Sequence, residues 1–448
     1  MTTIRNRAAL PDDPAAERAL DCIEAGIRAA HPETVIRDRV RLEGDSLRIE
    51  PMGDEAVTYG LDEYDEVLVL GGGKAAATVA AALVDVLGDR IDGGAVVTDD
   101  PQPAGRIEVH EGTHPVPSGA NVAATREILE RAGAAGEGTL VIAAITGGGS
   151  ALMAAPAPGV DLDDLRSVTD AMLRSGLPIE EINAVRKHLS TIKGGGLAEA
   201  AAPATVAALL FSDVIGDDPG VIASGPTAPD PTTFADAKRA LDRGGVTPPE
   251  AVSSRIGAGI AGEIDETADR EALAGGWCRT LVLASGDTAI EAAREVAESG
   301  GFEALVLGSR IRGEAREAGG FHAAVAESCL ERGDPVSPPA VILSGGETTV
   351  RVAGEGTGGP NLECALSAGI ELAGRPVAFA AVDTDGLDGN ADAAGCLVTG
   401  GTVDSAEAAW DALSRNDAYP YLAARSAVVE TGATGTNVND LRVLVLPE

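Results

Sequence analysis

The 448-residue chain is predicted to be α/β: two doubly wound domains with mostly parallel sheets and a cleft between them. Three observations carry the expectation. Short apolar runs alternate with helical patterns of about 10–15 residues, the rhythm of parallel strands joined by crossover helices. In both halves such a run ends in small residues and opens into a new element. The first half has 67–70 into Gly71-Gly72-Gly73-Lys74-Ala75-Ala76 and 142–145 into Thr146-Gly147-Gly148-Gly149-Ser150. The second has 281–283 into Ser285-Gly286-Asp287-Thr288 and 341–343 into Ser344-Gly345-Gly346-Glu347. Finally, hydrophobic residues make up 44% of the chain but aromatics only 2%, so the core must pair Ala-rich helices with Val-rich strands.

Residues 13–30 form an amphipathic helix, with Leu20, Ile23 and Ile27 on one stripe and Pro32 ending it. Residues 40–49 read as a hairpin or edge strand. The first strand–glycine–helix unit covers 66–87, and strands follow at 95–98 and 107–110. Ser118 can cap a helix over 119–132. A buried strand at 139–145 leads to helices at 162–173 and after Pro178, then to a strand at 206–211. The stretch 240–276 holds Gly244-Gly245, Pro248-Pro249 and Gly275-Gly276 and reads as a connection containing one helix. A second βα series then runs through strands 280–284 and 304–307 with helices 288–299 and 314–331. Strand 340–343 is expected to pair with 347–352 as a hairpin. Helix 361–372, strand 377–382, helices near 405–414 and 419–430, and strand 441–446 complete the chain. The expected domains are 1–240 and 277–448 with 241–276 between them, the last strand being a candidate to return to the first domain's sheet.

The formal charge of −36, from 70 acidic and 34 basic residues, excludes nucleic acid and anionic membrane surfaces as partners. The acids are scattered, which fits a solvated surface in a salt-rich cytoplasm. Five separated cysteines without a C-x-x-C pair fit a reducing compartment and no zinc site among them. The polar N-terminus carries no signal pattern, and no apolar run reaches the ~18 residues of a spanning helix, so the expected location is cytoplasmic.

Lysine is scarce: only Lys74, Lys187, Lys193 and Lys238 occur. Lys74 lies in the glycine loop, where a strand running into a helix offers backbone N–H groups to an anion. Gly71-x-Gly73-x-x-Ala76 satisfies the dinucleotide pattern, but a lysine inside that loop does not suit it, and the P-loop spacing fails because Leu68 stands five residues before Gly73. A cation at a helix N-terminus is unfavourable unless an anion offsets it. Gly147-Gly148-Gly149-Ser150 lacks the nucleophile-elbow pattern and is either an oxyanion loop or a tight turn. Asn183, Arg186 and Lys187 fall on one helix face as a basic patch, expected to be exposed and to bind anions. Ser212-Asp213 ends a strand, and Asp383–Asp392 fails the calcium-loop spacing while offering Asp385 to a cation.

An ordered set of motifs gives these residues a common context. They are Gly-Gly-Gly-Lys-Ala (71–75), Thr-His-Pro-Val-Pro (113–117), Thr-Gly-Gly-Gly-Ser-Ala-Leu (146–152), Asn-x-Val-Arg-Lys-His-Leu-Ser-x-x-Lys-Gly-Gly (183–195), Ser-Asp-Val-Ile-Gly-Asp (212–217), Ser-Gly-Pro-Thr (224–227), Ser-Gly-Gly-Glu-Thr (344–348), Thr-Asp-Gly-Leu-Asp-Gly (384–389) and Thr-Asn-Val-Asn-Asp-Leu (436–441). The set resembles the glycerate 2-kinase family with a MOFRL C-terminal domain, and the composition looks like a haloarchaeal member. The resemblance implies ATP-dependent phosphorylation of D-glycerate to 2-phosphoglycerate with Mg2+, between two α/β domains. Lys74 matches the lysine that the family is thought to use on the phosphoryl group. With it we expect Asp213 and Asp385 as catalytic residues, the two aspartates also being candidates for the metal, and Gly72, Gly73, Gly148, Gly149, Ser150, Asn183, Arg186, Lys187, Lys193, Ser212, Ser224, Asn361 and Asn437 as substrate- or phosphate-binding residues. The chain departs where the family reads Gly-Gly-Arg-Asn-Gln-Glu: Pro360 replaces the arginine and Leu362 the glutamine, leaving Arg310, Arg312 and Arg351 as stand-ins. Rival readings are an NAD(P)H-linked hydroxypyruvate reductase and a non-catalytic sugar-acid or nucleotide-binding protein. A homodimer is a candidate assembly.

Overall fold

The computed structural model describes residues 4–448 and divides the chain into two compact units. One is Val35–Leu283. The other joins the chain up to Thr34 with Ala284–Glu448.

The Val35–Leu283 unit begins with a small antiparallel sheet of β1 (Val40–Glu43), β2 (Ser46–Ile49) and β3 (Val57–Gly60). Its main sheet holds β4 (Glu66–Gly72), β5 (Gly93–Thr98), β6 (Ile107–Glu111), β7 (Thr139–Ile145), β8 (Thr205–Phe211) and β9 (Cys278–Ala284), in the order β6-β5-β4-β7-β8-β9. The ladders from β6 through to β8 are all parallel. Strands β4, β5, β7 and β8 are buried along nearly their whole length, as a parallel sheet covered on both faces requires. The strand order reverses between β4 and β7. A doubly wound sheet binds ligands outside the carboxyl ends of its strands at such a reversal. Both glycine loops, after Gly72 and after Ile145, emerge there. A satellite core gathers the helices Leu162–Arg174, Ile179–His188, Phe234–Arg243 and Glu250–Ile260 around Met172, Val185, Phe234, Val252 and Ile256. The expected connection 241–276 is therefore part of this unit, because the apolar face of the helix Glu250–Ile260 is buried against Phe234.

In the other unit, β10 (Glu303–Glu314), β11 (Ala340–Thr349), β12 (Ala378–Asp383), β13 (Gly395–Thr399), β14 (Val428–Val429) and β15 (Asp440–Leu446) lie in the order β10-β11-β15-β12-β13-β14. The α/β class holds here too, but the sheet is mixed. Only β10 and β11 pair in parallel, and the other ladders are antiparallel. The reason is β15, which returns between β11 and β12 in the opposite direction. It therefore belongs at the centre of this sheet and not with the first. The first helix, Pro14–Ala30, joins the same unit: a Cβ on its Gly26 would lie 2.5 Å from Leu441. The N-terminal segment up to Thr34 thus leaves the expected domain 1–240. The hairpin expected around Gly345-Gly346 is a single strand, because β11 is paired along both edges and Gly346, at φ +131°, lets it pass 2.1 Å (Cβ position) from Ile311 O.

Candidate active site

The loop after β4 is held by its own backbone. Gly73 N donates to Val97 O at 3.0 Å, Lys74 N to Gly147 O at 2.8 Å and Ala76 N to Gly73 O at 3.1 Å. Ala75 N donates to Thr146 Oγ1 at 3.1 Å. These N–H groups are spent inside the fold, so the expected anion cradle at Gly72 and Gly73 does not form. The glycines serve close packing instead: at φ +139°, a Cβ on Gly73 would sit 2.2 Å from Thr146 Oγ1. What the loop presents is the exposed Lys74 side chain.

The loop after β7 behaves differently. Gly147 and Gly148 have no hydrogen-bond partner for their N–H groups among the described residues. A Cβ on Gly148 would lie 3.0 Å from Lys74 Cγ and 3.3 Å from His114 Nε2, so the free amides, the lysine and the histidine share one neighbourhood. Burial, and then the charge of Lys74, lower the His114 pKa. Asp213 packs its carboxylate on Gly147, 2.3 Å from where a Cβ would stand. Burial raises its pKa and the nearby Lys74 partly opposes the rise. Ser212 turns its hydroxyl into its own loop, donating to Val214 O at 3.2 Å. Gly149 is buried and its N–H bonds Thr146 O at 3.2 Å.

From Gly148 a cavity of about 510 Å3 extends past His114, Ser150, Arg166, Arg186 and Lys193. Arg186 is largely buried and makes no hydrogen bond or ion pair among the described residues, and burial alone works against its charge. Lys193 Nζ donates to Ser150 O at 2.8 Å and Met153 O at 3.0 Å, and meets no carboxylate among the described residues. Burial, and then Arg186, push its pKa down to about 7. Ser150 Oγ and Ser224 Oγ are 2.7 Å apart, and Ser224 donates to Asn183 Oδ1 at 3.0 Å. The expected exposed patch is thus mostly interior. Asn183 and Lys187 are buried, and Lys187 Nζ is paired with Asp230 Oδ1 at 3.2 Å. Only Arg186 of the three faces this cavity.

Asp385, Asn361 and Asn437 belong to the other unit. Asp385 Oδ1 accepts from Leu387 N at 2.9 Å, and Asp385 N donates to Asp383 Oδ1 at 3.0 Å. Burial, Asp385 and Asp440 together hold the Asp383 carboxyl well above the usual range. Asn437 accepts from Asn439 N at 3.0 Å. Asn361 is interior, and its amide donates to Asp440 Oδ1 at 2.7 Å. Asp388 accepts from Asn361 N and Leu362 N at 2.9 and 2.8 Å, where the helix Pro360–Glu371 begins. The fully buried Arg442 pairs with Asp440 and donates to Thr348 Oγ1 at 2.8 Å. Pro360 takes the first position of that helix and Leu362 is fully buried in the core, so the departed motif is a folded helix start. Sequence reasoning assigned no role to Thr146, Asp230, Arg442 or His114. Of these, Thr146 and His114 carried a signal, their places in Thr-Gly-Gly-Gly-Ser-Ala-Leu and Thr-His-Pro-Val-Pro.

A reversal-point cavity with unpaired cations, beside free amides and a lysine, defines an α/β protein that handles small anions. Residues 18–257 match the family described as a domain of unknown function, DUF4147, and residues 340–440 match the MOFRL family. A Pyrococcus horikoshii protein named glycerate 2-kinase is 38% identical over 96% of this chain and 97% of its own. An Agrobacterium vitis protein named "Putative hydroxypyruvate reductase" is 44% identical over 85% of this chain and 87% of its own. The crystal structure of a Thermotoga maritima glycerate kinase superposes with a TM-score of 0.84 at 35% identity, covering 96% of this chain and 99% of that one. The chain belongs to the glycerate 2-kinase family.

Proposed function

We propose that the protein transfers the γ-phosphoryl group of ATP to the 2-hydroxyl of D-glycerate, giving 2-phosphoglycerate and ADP. The observation that carries the reading is the pair Arg186 and Lys193. Both are largely buried beside a cavity, and among the described residues neither meets a carboxylate, in a chain with 70 acids and 34 bases. A small carboxylate substrate supplies the missing charge. The Gly147 and Gly148 amides and the Lys74 ammonium neutralise charge on the transferring group. Phosphoryl transfer needs little beyond positioning and such neutralisation. Asp213 takes the hydroxyl proton as that oxygen bonds to phosphorus and the bond to ADP breaks. A carboxyl raised by burial is better matched to neutral pH than an exposed one.

Magnesium shields a nucleotide's phosphates when bound. Asp383 and Asp385 fit it: burial, and then the neighbouring Asp385, raise the Asp383 carboxyl, and a cation bound between these hard oxygen donors would relieve that cost. Asp213 fits it poorly, packed on Gly147 beside a lysine. The acidic surface suits a salt-rich cytoplasm, and a homodimer stays a candidate.

The reductase reading loses its support in the loop, since the N–H groups that would cradle a dinucleotide pyrophosphate are already hydrogen-bonded. The test is ADP release in molar KCl with D-glycerate and Mg-ATP, with the product read by phosphorus NMR. Lys74→Ala should lower kcat by about 10²–10³, and turnover near wild type would sink the assignment. Oxidation of NAD(P)H by hydroxypyruvate would favour the reductase instead.

A further inference from the structure

We infer that β6 and the helix Gly119–Ala134 carry a divalent transition-metal site made by Glu108, His110 and Glu127. Glu108 and His110 are two residues apart on one strand, so they share a face. Glu127 reaches them from the helix, and one ligand atom from each lies within 4.8 Å of the others.

His110 Nε2 is screened from water and makes no hydrogen bond, yet it lies 3.1 Å from Glu127 Oε2. The carboxylate oxygen is close but off the direction in which the nitrogen's proton or lone pair points. That is how two ligands sit around a shared ion. Two donors each ~2.1 Å from a metal, at right or tetrahedral angles, stand about 3.0–3.4 Å apart. Glu108 is the exposed member, and rotation of its side chain closes the remaining gap.

Arg131 supports this arrangement. Its Nη2 holds Oε1 of Glu108 and Oε1 of Glu127, each at 2.6 Å. It holds one oxygen of each carboxylate, leaving Glu127 Oε2 facing the imidazole and Glu108 able to turn about that contact. It also leaves the cluster one negative charge short of its two carboxylates, so binding should be moderate. A cavity of about 880 Å3 lined by His110, Glu127 and Arg131 gives an ion and its waters access. An imidazole with two carboxylates suits Zn2+, Co2+ or Mn2+ better than Mg2+ or Ca2+, which prefer all-oxygen sets.

The experiment is equilibrium dialysis of the untagged full chain against Zn2+, in molar KCl with a phosphine reductant and no Mg2+. The site predicts one equivalent bound, with affinity at least tenfold weaker in both His110→Ala and Glu127→Gln. Exposed Glu108→Gln, the substitution least able to disturb folding, should weaken binding in the same direction. No uptake by the wild-type chain, or uptake unchanged in all three variants, overturns the site and leaves an ion-pair cluster that ties strand to helix.

Discussion

Replacing Lys193 by methionine should remove a pH dependence of stability and not merely a contact. The folded ammonium is buried, and its pKa stands at about 7 against the ordinary 10.5. Between those values the unfolded lysine is protonated and the folded one is not. The unfolded state then binds more protons, so stability rises with pH across the window, and below about pH 7 the full cost of the buried charge is present. At ~1.4 kcal/mol per pH unit the whole window is worth at most about 5 kcal/mol. Because the folded lysine is still half protonated at pH 7 and Nζ borders a cavity, the working figure is smaller: about 1–2 kcal/mol between pH 7 and 9. Lys193→Met titrates nothing there, so wild type should gain that amount over the variant. The assay is urea unfolding at fixed KCl and pH 7, 8 and 9. Of the two tryptophans, Trp277 packs against the core of the Val35–Leu283 unit and Trp410 belongs to the other unit. A Trp410→Phe background makes the fluorescence specific to the unit that holds Lys193. A stability difference constant to within about 0.5 kcal/mol from pH 7 to 9 would refute the reasoning.

Three further outcomes are expected. Gly73→Ala should destabilise by about 2–5 kcal/mol in thermal melts, since it places a Cβ on Thr146 and strains a positive φ. Arg442→Met should cost about 3–5 kcal/mol by leaving Asp440 buried and unpaired, and adding Asp440→Asn should recover much of it in a double-mutant cycle. Ser224 lies at φ +63°, so Ser224→Gly should melt near wild type and Ser224→Ala lower, while both raise KM for glycerate by removing the hydroxyl between Ser150 and Asn183.

Strand alternation made β4 to β8 legible as strands, because continuous apolar runs that end in small residues have few alternatives in a parallel sheet, but their order was not, and β9 was assigned to the second series although it pairs beside β8 in the first sheet. The second sheet was less legible. Nothing in the pattern of 440–446 says that this last strand enters between β11 and β12, and a long-range pairing leaves no local trace. The glycine pair in β11 illustrates the same limit: Gly-Gly reads as a turn, yet here it allows a close approach between strands. At the site, Lys74 and Lys193 stood out because cations are rare beside glycines in so acidic a chain, and Ser150 and Arg186 through the motifs that contain them. Lys187 was misread because its partner Asp230 lies far away in sequence. The two glycine loops looked alike, and only their hydrogen bonds separate the spent amides of one from the free amides of the other.

The unit that contains the chain up to Thr34 and Ala284–Glu448 sets an order of events during synthesis. The helix Pro14–Ala30 leaves the ribosome long before its neighbours in β15 exist. At ~5–20 residues per second the wait is roughly 20–80 s. Until the helix Gly286–Ser299 is made to pack on it, the apolar stripe of Leu20, Ile23 and Ile27 is exposed, while Val35–Leu283 already has every strand of its main sheet except the last residue of β9. A ribosome stalled just far enough beyond Leu283 for β9 to clear its exit tunnel should therefore display a protease-resistant middle segment and a cleavable first helix. Nascent-chain proteolysis would reveal which half matures first.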